Sequence, residues 1–189
     1  MCGRYYIEID DRELQEICDA IPKTEKERYE QLQIKLSGEV FPTNIVPVQT
    51  GEKSYQLMKW GFSGFDKKPV INARSETAFI KPMFRDSMNR RRCLIPATGY
   101  YEWLKENNRK TKYRFYIQGK PMYFAGCFHH EQDAPLPSFV ILTQAAACGA
   151  ETVHDRMPLI IPASGAGLWL SRGAYTGGLP AQALMFSPE

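Results

Sequence analysis

The chain has 189 residues, 43% of them hydrophobic and 24% charged, with a formal net charge of +3. That composition is ordinary for one globular domain large enough to bury a core without staples, so residues 1–189 are read as a single domain. The net charge is too small to announce nucleic-acid binding by its total, which makes its distribution the question. Five cysteines, at positions 2, 18, 93, 127 and 148, are odd in number, widely spaced and without a CxxC pair. They fit neither a disulfide framework nor a zinc site, so a reducing compartment is expected, with no metal and no cofactor. The first residues run straight into polar and charged positions, and no apolar run is long enough to cross a bilayer. A cytoplasmic monomer without membrane contact is the expectation.

"RYYIEI" opens the chain with strand formers. "DDRELQEICDAI" places Leu14, Ile17, Cys18 and Ile21 on one helical face, with Asp10 or Asp11 as N-cap and Pro22 beyond the end. "KTEKERYEQLQIKLSG" is a charged second helix or an excursion that Gly38 closes. "VFPTNIVPVQT" carries Pro42 and Pro47 and predicts an edge strand or ordered loop. "SYQLMKWGF" predicts a strand entering a Gly turn. "FRDSMNRRR" predicts a short basic helix. "CLIPATGYYEWLKE", "KYRFYIQG", "MYFAGCFHH" and "SFVILTQAA" predict four further strands, with turn chemistry at "NNRK" and "QGKP". "ASGAGLWLS" predicts a late helix capped by Ser164, and the remaining residues, rich in Gly and Pro, read as irregular. Alternating β-α-β order is absent, which excludes a doubly wound fold. The predicted class is α+β: a curled, mixed or mostly antiparallel, barrel-like sheet with a few flanking helices.

Several stretches carry chemistry. Met1 is commonly trimmed before a small residue, and trimming "MCGRYY" leaves Cys2 with a free α-amine beside its thiol. "INARSET" supplies Asn72, Arg74 and Glu76; "PATGYYEW" sets Glu102 among Tyr100, Tyr101 and Trp103; "VHDRMPLII" brings His154, Asp155 and Arg156; "FPTN" offers Asn44. Singly, each has an ordinary use: Asn72 can cap a helix starting at Ala73, Glu102 can face solvent on a strand, and Trp60 can fill the core. His129 and His130 are adjacent, point to opposite faces of a strand and make a poor metal pair. Together, a nucleophile, a carboxylate, an imidazole and an amide suffice for covalent and acid–base work. Arg4, Arg74 and Arg156 beside three of these segments point to an anionic substrate, phosphate above all.

In order along the chain, "MCGR", "WGF", "INARSET", "GYYEW" and "HDRMP" resemble the SRAP domain family, the SOS response-associated peptidases, also described as abasic-site processing proteins. "FPTN" adds to the match, which reaches from Cys2 to about Pro162. The resemblance implies a protein that recognises abasic sites in single-stranded DNA and cross-links to them covalently through Cys2. By position, Cys2 matches the nucleophile, and Asn72, Glu102 and His154 match the supporting active-site residues. Arg4, Trp60, Arg74 and Arg156 match DNA-facing residues, with Trp60 expected to stack on an exposed base. The family also implies self-processing peptidase and lyase activity, association with the nucleoid when DNA is damaged, and a further segment after "MFSPE" returning to the core. Two alternatives stay open. A Cys–His peptidase acting on other proteins would use Cys2 as thiolate and His154 as base. A non-catalytic single-strand binding module would carry the terminal thiol incidentally.

Overall fold

The computed structural model describes residues 2–8, 12–28, 33–66, 68–172 and 184–189. Two sheets form the core. The first contains β1 (Tyr5–Ile7), β2 (Gly38–Val40), β9 (Gly99–Glu106), β10 (Arg109–Tyr116) and β15 (Met185–Pro188), ordered β15-β10-β9-β1-β2 and antiparallel throughout. The second contains β3 (Ile45–Gly51), β4 (Ser54–Trp60), β7 (Asn72–Arg74), β8 (Arg92–Ala97), β11 (Met122–His129), β12 (Ser138–Ala145), β13 (Arg156–Pro158) and β14 (Ile160–Ile161). Its order is β13-β12-β4-β3-β8-β11-β14, and β11 also pairs with β12. That extra pairing closes the path β12-β4-β3-β8-β11 into a ring. Closure removes unpaired strand edges, and it makes the sheet curled and barrel-like. A small hairpin of β5 (Phe62–Ser63) and β6 (Pro69–Val70) stands apart from both sheets.

Aromatic rings join the two sheets. Tyr5 packs on Trp60 at 5.3 Å and edge-on to Phe124 at 5.8 Å, and Tyr100 meets Phe124 at 6.1 Å. Among the described residues five short helices flank this core: α1 (Arg12–Ala20), α2 (Lys23–Arg28), α3 (Ser75–Ala78), α4 (Pro82–Arg90) and α5 (Ala166–Arg172). Leu14, Ile17, Cys18 and Ile21 are buried, as their helical spacing predicts. Asp10 and Asp11, the predicted caps, lie outside the described residues, as do positions 29–32 of the charged stretch. Pro82 occupies the first turn of α4, where a missing N–H costs nothing. Arg92 ties two helix ends together. Its guanidinium donates to the carbonyls of Met88 at 2.6 Å, Trp169 at 2.9 Å and Ser171 at 2.9 Å. Among the described residues no helix is long and apolar enough to cross a membrane.

Three expectations need correction. The stretch around Pro47 is neither edge nor loop: β3 lies inside the barrel between β4 and β8. Pro47 is tolerated because β3 and β8 are in register only at Gln49 and Leu94, so no donor is demanded at position 47. Ser164 does not cap the late helix; a tight turn at Ala163–Gly165 precedes α5, and its N-cap position, Pro162, makes no side-chain cap. The chain end is not irregular throughout. Residues 185–188 form a strand that pairs with β10. Positions 173–183 lie outside the described residues.

Candidate active site

One strand organises most of the site. β4 runs parallel to β12 as far as Trp60↔Phe139, and the chain then leaves through Gly61, whose φ of +114° suits glycine. After the β5–β6 excursion it returns as β7, which takes over the same parallel pairing at Ile141↔Asn72. Further along, β12 pairs with β13 at Ala145↔Arg156. Segments distant in sequence, "INAR" and "HDRMP", therefore meet at the end of one strand. β1 and β9 bring the other two segments together, with Tyr5 directly opposite Tyr100.

Cys2 is fully buried. Its thiol lies 3.6 Å from the carbonyl of Arg4, and Asn72 Nδ2 donates to the Cys2 carbonyl at 2.8 Å. Burial pushes the thiol pKa up, and the negative charge of Glu102 adds to the rise. Glu102 sits at 4% exposure. Burial raises its carboxyl above the usual range, and the imidazole of His154 pulls in the opposite direction. Cys2, Glu102 and His154 thus share one electrostatic environment. Asn72 Oδ1 is buried and has no hydrogen-bond partner among the described residues. An acceptor buried without a partner costs about 1–3 kcal/mol, which makes this oxygen a candidate contact for a bound group. The helix-cap use of Asn72 is excluded, since α3 starts at Ser75 and Arg74 holds its N-cap position.

His154 is about one-third exposed. Its Nδ1 lies 3.0 Å from the amide N–H of Arg156 and 2.7 Å from a carboxylate oxygen of Asp155. A bare Nδ1 accepts from Arg156 and leaves the proton on Nε2; a protonated Nδ1 donates to Asp155. These contacts hold the ring in one orientation. Arg156 is in turn clamped by Glu76, with Nη1–Oε1 at 2.6 Å and Nη2–Oε2 at 2.9 Å, and it also donates to the Thr143 carbonyl at 2.6 Å. The Arg156 hydrogen bonds hold the Glu76 carboxyl down from 4.5 to about 2.

The predicted DNA-facing residues separate into two groups. Arg74 is exposed and makes no ion pair among the described residues, so its guanidinium is available. Arg4 is 30% exposed, pairs with Glu39 at 3.2 Å and lies against the rings of Phe41 and Trp103. Arg156 faces Glu76 rather than solvent, which makes it first a support for His154. Trp60 is corrected outright. It is fully buried, donates its indole N–H to the Ile71 carbonyl at 3.0 Å and stacks on Phe139, so no base can reach its face.

Two features escaped sequence reasoning. Glu76 is in the quoted motif, but its partner lies 80 residues away and no local pattern names it. Trp103, half-buried beside inward-facing Glu102, is an accessible aromatic near the site. Strand alternation alone predicts that it faces outward if Glu102 faces in. Asn44 has a local use, accepting from the Phe41 amide at 2.9 Å. Among the described residues no group of three or more His, Cys, Asp or Glu side chains is placed to hold a metal ion.

The SRAP family model, SOS response associated peptidase, matches residues 1–187. The abasic site processing protein YedK of Escherichia coli is 33% identical over 143 residues, which covers 68% of this chain and 64% of YedK. The chain thus spans less than two thirds of that relative. The abasic site processing protein YoqW of Bacillus subtilis is 31% identical over 192 residues, covering 90% of this chain and 80% of YoqW. Solved proteins of Bacteroides thetaiotaomicron and Bordetella bronchiseptica share the fold, with TM-scores of 0.81 and 0.78 at 20% and 22% identity. They cover 99% and 100% of this chain, and the match takes in 91% and 99% of theirs. This chain is a member of the SRAP family.

Proposed function

We propose that the protein captures abasic sites in single-stranded DNA as a covalent adduct on a processed Cys2. The observation that carries the reading is the gathering of Cys2, Asn72, Glu102 and His154 from four separate segments around one buried thiol. Names borne by the relatives, abasic site processing proteins, agree with it.

Removal of Met1 turns the Cys2 nitrogen into an α-amine, whose pKa of about 7.7–8.0 leaves a useful neutral fraction near pH 7. An abasic deoxyribose opens to an aldehyde. The amine adds to its carbonyl carbon, and the carbinolamine loses one water to give an imine. The thiol sulfur then adds to the imine carbon while its proton passes to nitrogen, closing a five-membered thiazolidine. That second attack is intramolecular and carries a large effective-molarity advantage. Glu102, whose carboxyl pKa burial raises, is the acid for ring opening and dehydration. Asn72 Oδ1 is the acceptor offered to the amine. His154 moves protons on the exposed side, and through it the site has the means for β-elimination. Arg74 holds a flanking phosphate, with Arg4 at the rim.

The raised thiol pKa favours this order over a thiol peptidase. A thiolate–imidazolium pair needs the opposite shift, whereas a neutral thiol suffices when the amine attacks first. The test is incubation with single-stranded DNA carrying one abasic site, read on a denaturing gel. Cys2→Ala abolishes the shifted band, and Glu102→Gln slows its appearance by about a hundredfold or more. If both variants cross-link like the parent, the assignment is wrong.

A further inference from the structure

The charge of this chain is concentrated in one hairpin. Residues 105–114 carry five cations, Lys105, Arg109, Lys110, Lys112 and Arg114, against one carboxylate, Glu106, a surplus larger than the +3 of the whole chain. β9 and β10 are joined by Asn107 and Asn108, both with positive φ, the two-residue turn that matches strand twist and makes a stiff arm. Register puts Trp103 opposite Lys112 and Lys105 opposite Lys110, so all four side chains share the outer face of the sheet.

The cations on that face differ in their partners. Lys112 is paired with Glu39 and Glu189, each at 2.7 Å. Lys105 and Lys110 are exposed and make no ion pair among the described residues. Like charges directly opposite on neighbouring strands are destabilising, so an anion brought between them relieves a repulsion already built into the hairpin. Lys110 Nζ lies 4.9 Å from the Trp103 ring, and the Arg4 guanidinium lies 5.0 Å from the same ring. A continuous row of cation and aromatic therefore leads from the rim of the Cys2 site to the hairpin. Lys105 is three residues beyond Glu102, roughly 10 Å along the strand.

We propose that the β9–β10 hairpin is a phosphate-binding arm that holds the single strand flanking the captured nucleotide, with Lys105 and Lys110 as its paired contact. The proposal rests on the capture reading for what lies at the other end of the strand. The arm adds affinity and rate without touching the reacting atoms.

The test uses the mature protein and Lys105→Glu/Lys110→Glu. One arm of it measures capture of two oligonucleotides with a central abasic site, one with flanks ending short of Trp103 and one with flanks reaching the hairpin tip. The parent captures the long-flank strand faster, and in the variant the long-to-short ratio falls toward one. The other arm measures equilibrium binding of an undamaged single strand against salt. Two lost phosphate contacts lower the slope of log affinity on log salt by about 1.4, at about 0.7 per phosphate for single strands. An unchanged ratio with an unchanged slope overturns the proposal. So does an unchanged slope with lost binding of polyglutamate, which assigns the hairpin to an acidic protein partner. If the parent captures neither strand, the capture reading fails while the salt slope still decides the arm. The melting temperature of the variant stays at the parent's value, since both positions are exposed.

Discussion

Glu102 and Trp103 are neighbours on β9 and face opposite ways, one into the core and one toward solvent. This alternation gives the site a desolvated carboxyl and an accessible ring from two consecutive residues. It also sets a clear contrast between the two tryptophans near the site. Trp60→Ala is expected to cost about 3–5 kcal/mol of stability, as for a large aromatic removed from a core, read as a fall in denaturant midpoint. Trp103→Ala is expected to leave the midpoint within about 0.5 kcal/mol of the parent and to weaken single-strand binding severalfold. Equal losses of affinity at normal stability for both would contradict the assignment. The residues proposed to carry the chemistry are legible in the sequence because their types and order are specific. The burial of Trp60 is not legible in "WGF" because motif membership does not say which way a side chain points. The role of Glu76 is not legible in its motif because its partner, Arg156, is reached only through the fold.

At the level of elements, the hairpins and the pairing swap along β12 decide where the segments meet. "NNRK" reads as a turn because tandem Asn tolerates positive φ, and the structure has that turn at Asn107–Asn108. Pro47 misleads because a proline's place in a sheet depends on which neighbour strand needs its N–H, a property of register and not of composition. Gly99 opens β9 at the start of the site strand. A Cβ there would lie 2.2 Å from the Phe115 carbonyl oxygen and 2.4 Å from the Tyr6 hydroxyl. Gly99→Ala is therefore expected to destabilise by about 1–3 kcal/mol through overpacking, because the nearest obstacle is backbone. It should also slow capture by displacing Glu102, three residues on. A variant with parental melting behaviour would show that β9 can shift freely.

Across the whole molecule, the site is built where two sheets meet, and its supports are long-range contacts that also stabilise the fold. Arg156 holds Glu76 in its charged form well below 4.5. A carboxyl whose folded pKa is depressed contributes stability present above the unfolded value and lost as pH falls through the folded one. The Glu76 contribution is therefore complete at neutral pH and disappears between about 4.5 and about 2. Half of the Glu76 side chain is exposed, so solvent screening keeps the effect modest. Glu76→Gln should flatten the acid limb of a melting-temperature profile in that window, and a profile parallel to the parent's would remove the pair from the account. The α+β class and the curled, largely antiparallel, barrel-like sheet are legible in the run of strand candidates, whereas the parallel pairing of β4 and β7 with β12 is not, since it joins segments far apart in the sequence. The most direct measurement is intact mass after denaturation of two forms incubated with an abasic single strand. One form has Cys2 as its first residue, and the other carries an uncleavable extension ahead of it. The account predicts an adduct equal to protein plus oligonucleotide less one water for the first form and none for the second. Full-rate trapping by the blocked form would contradict it.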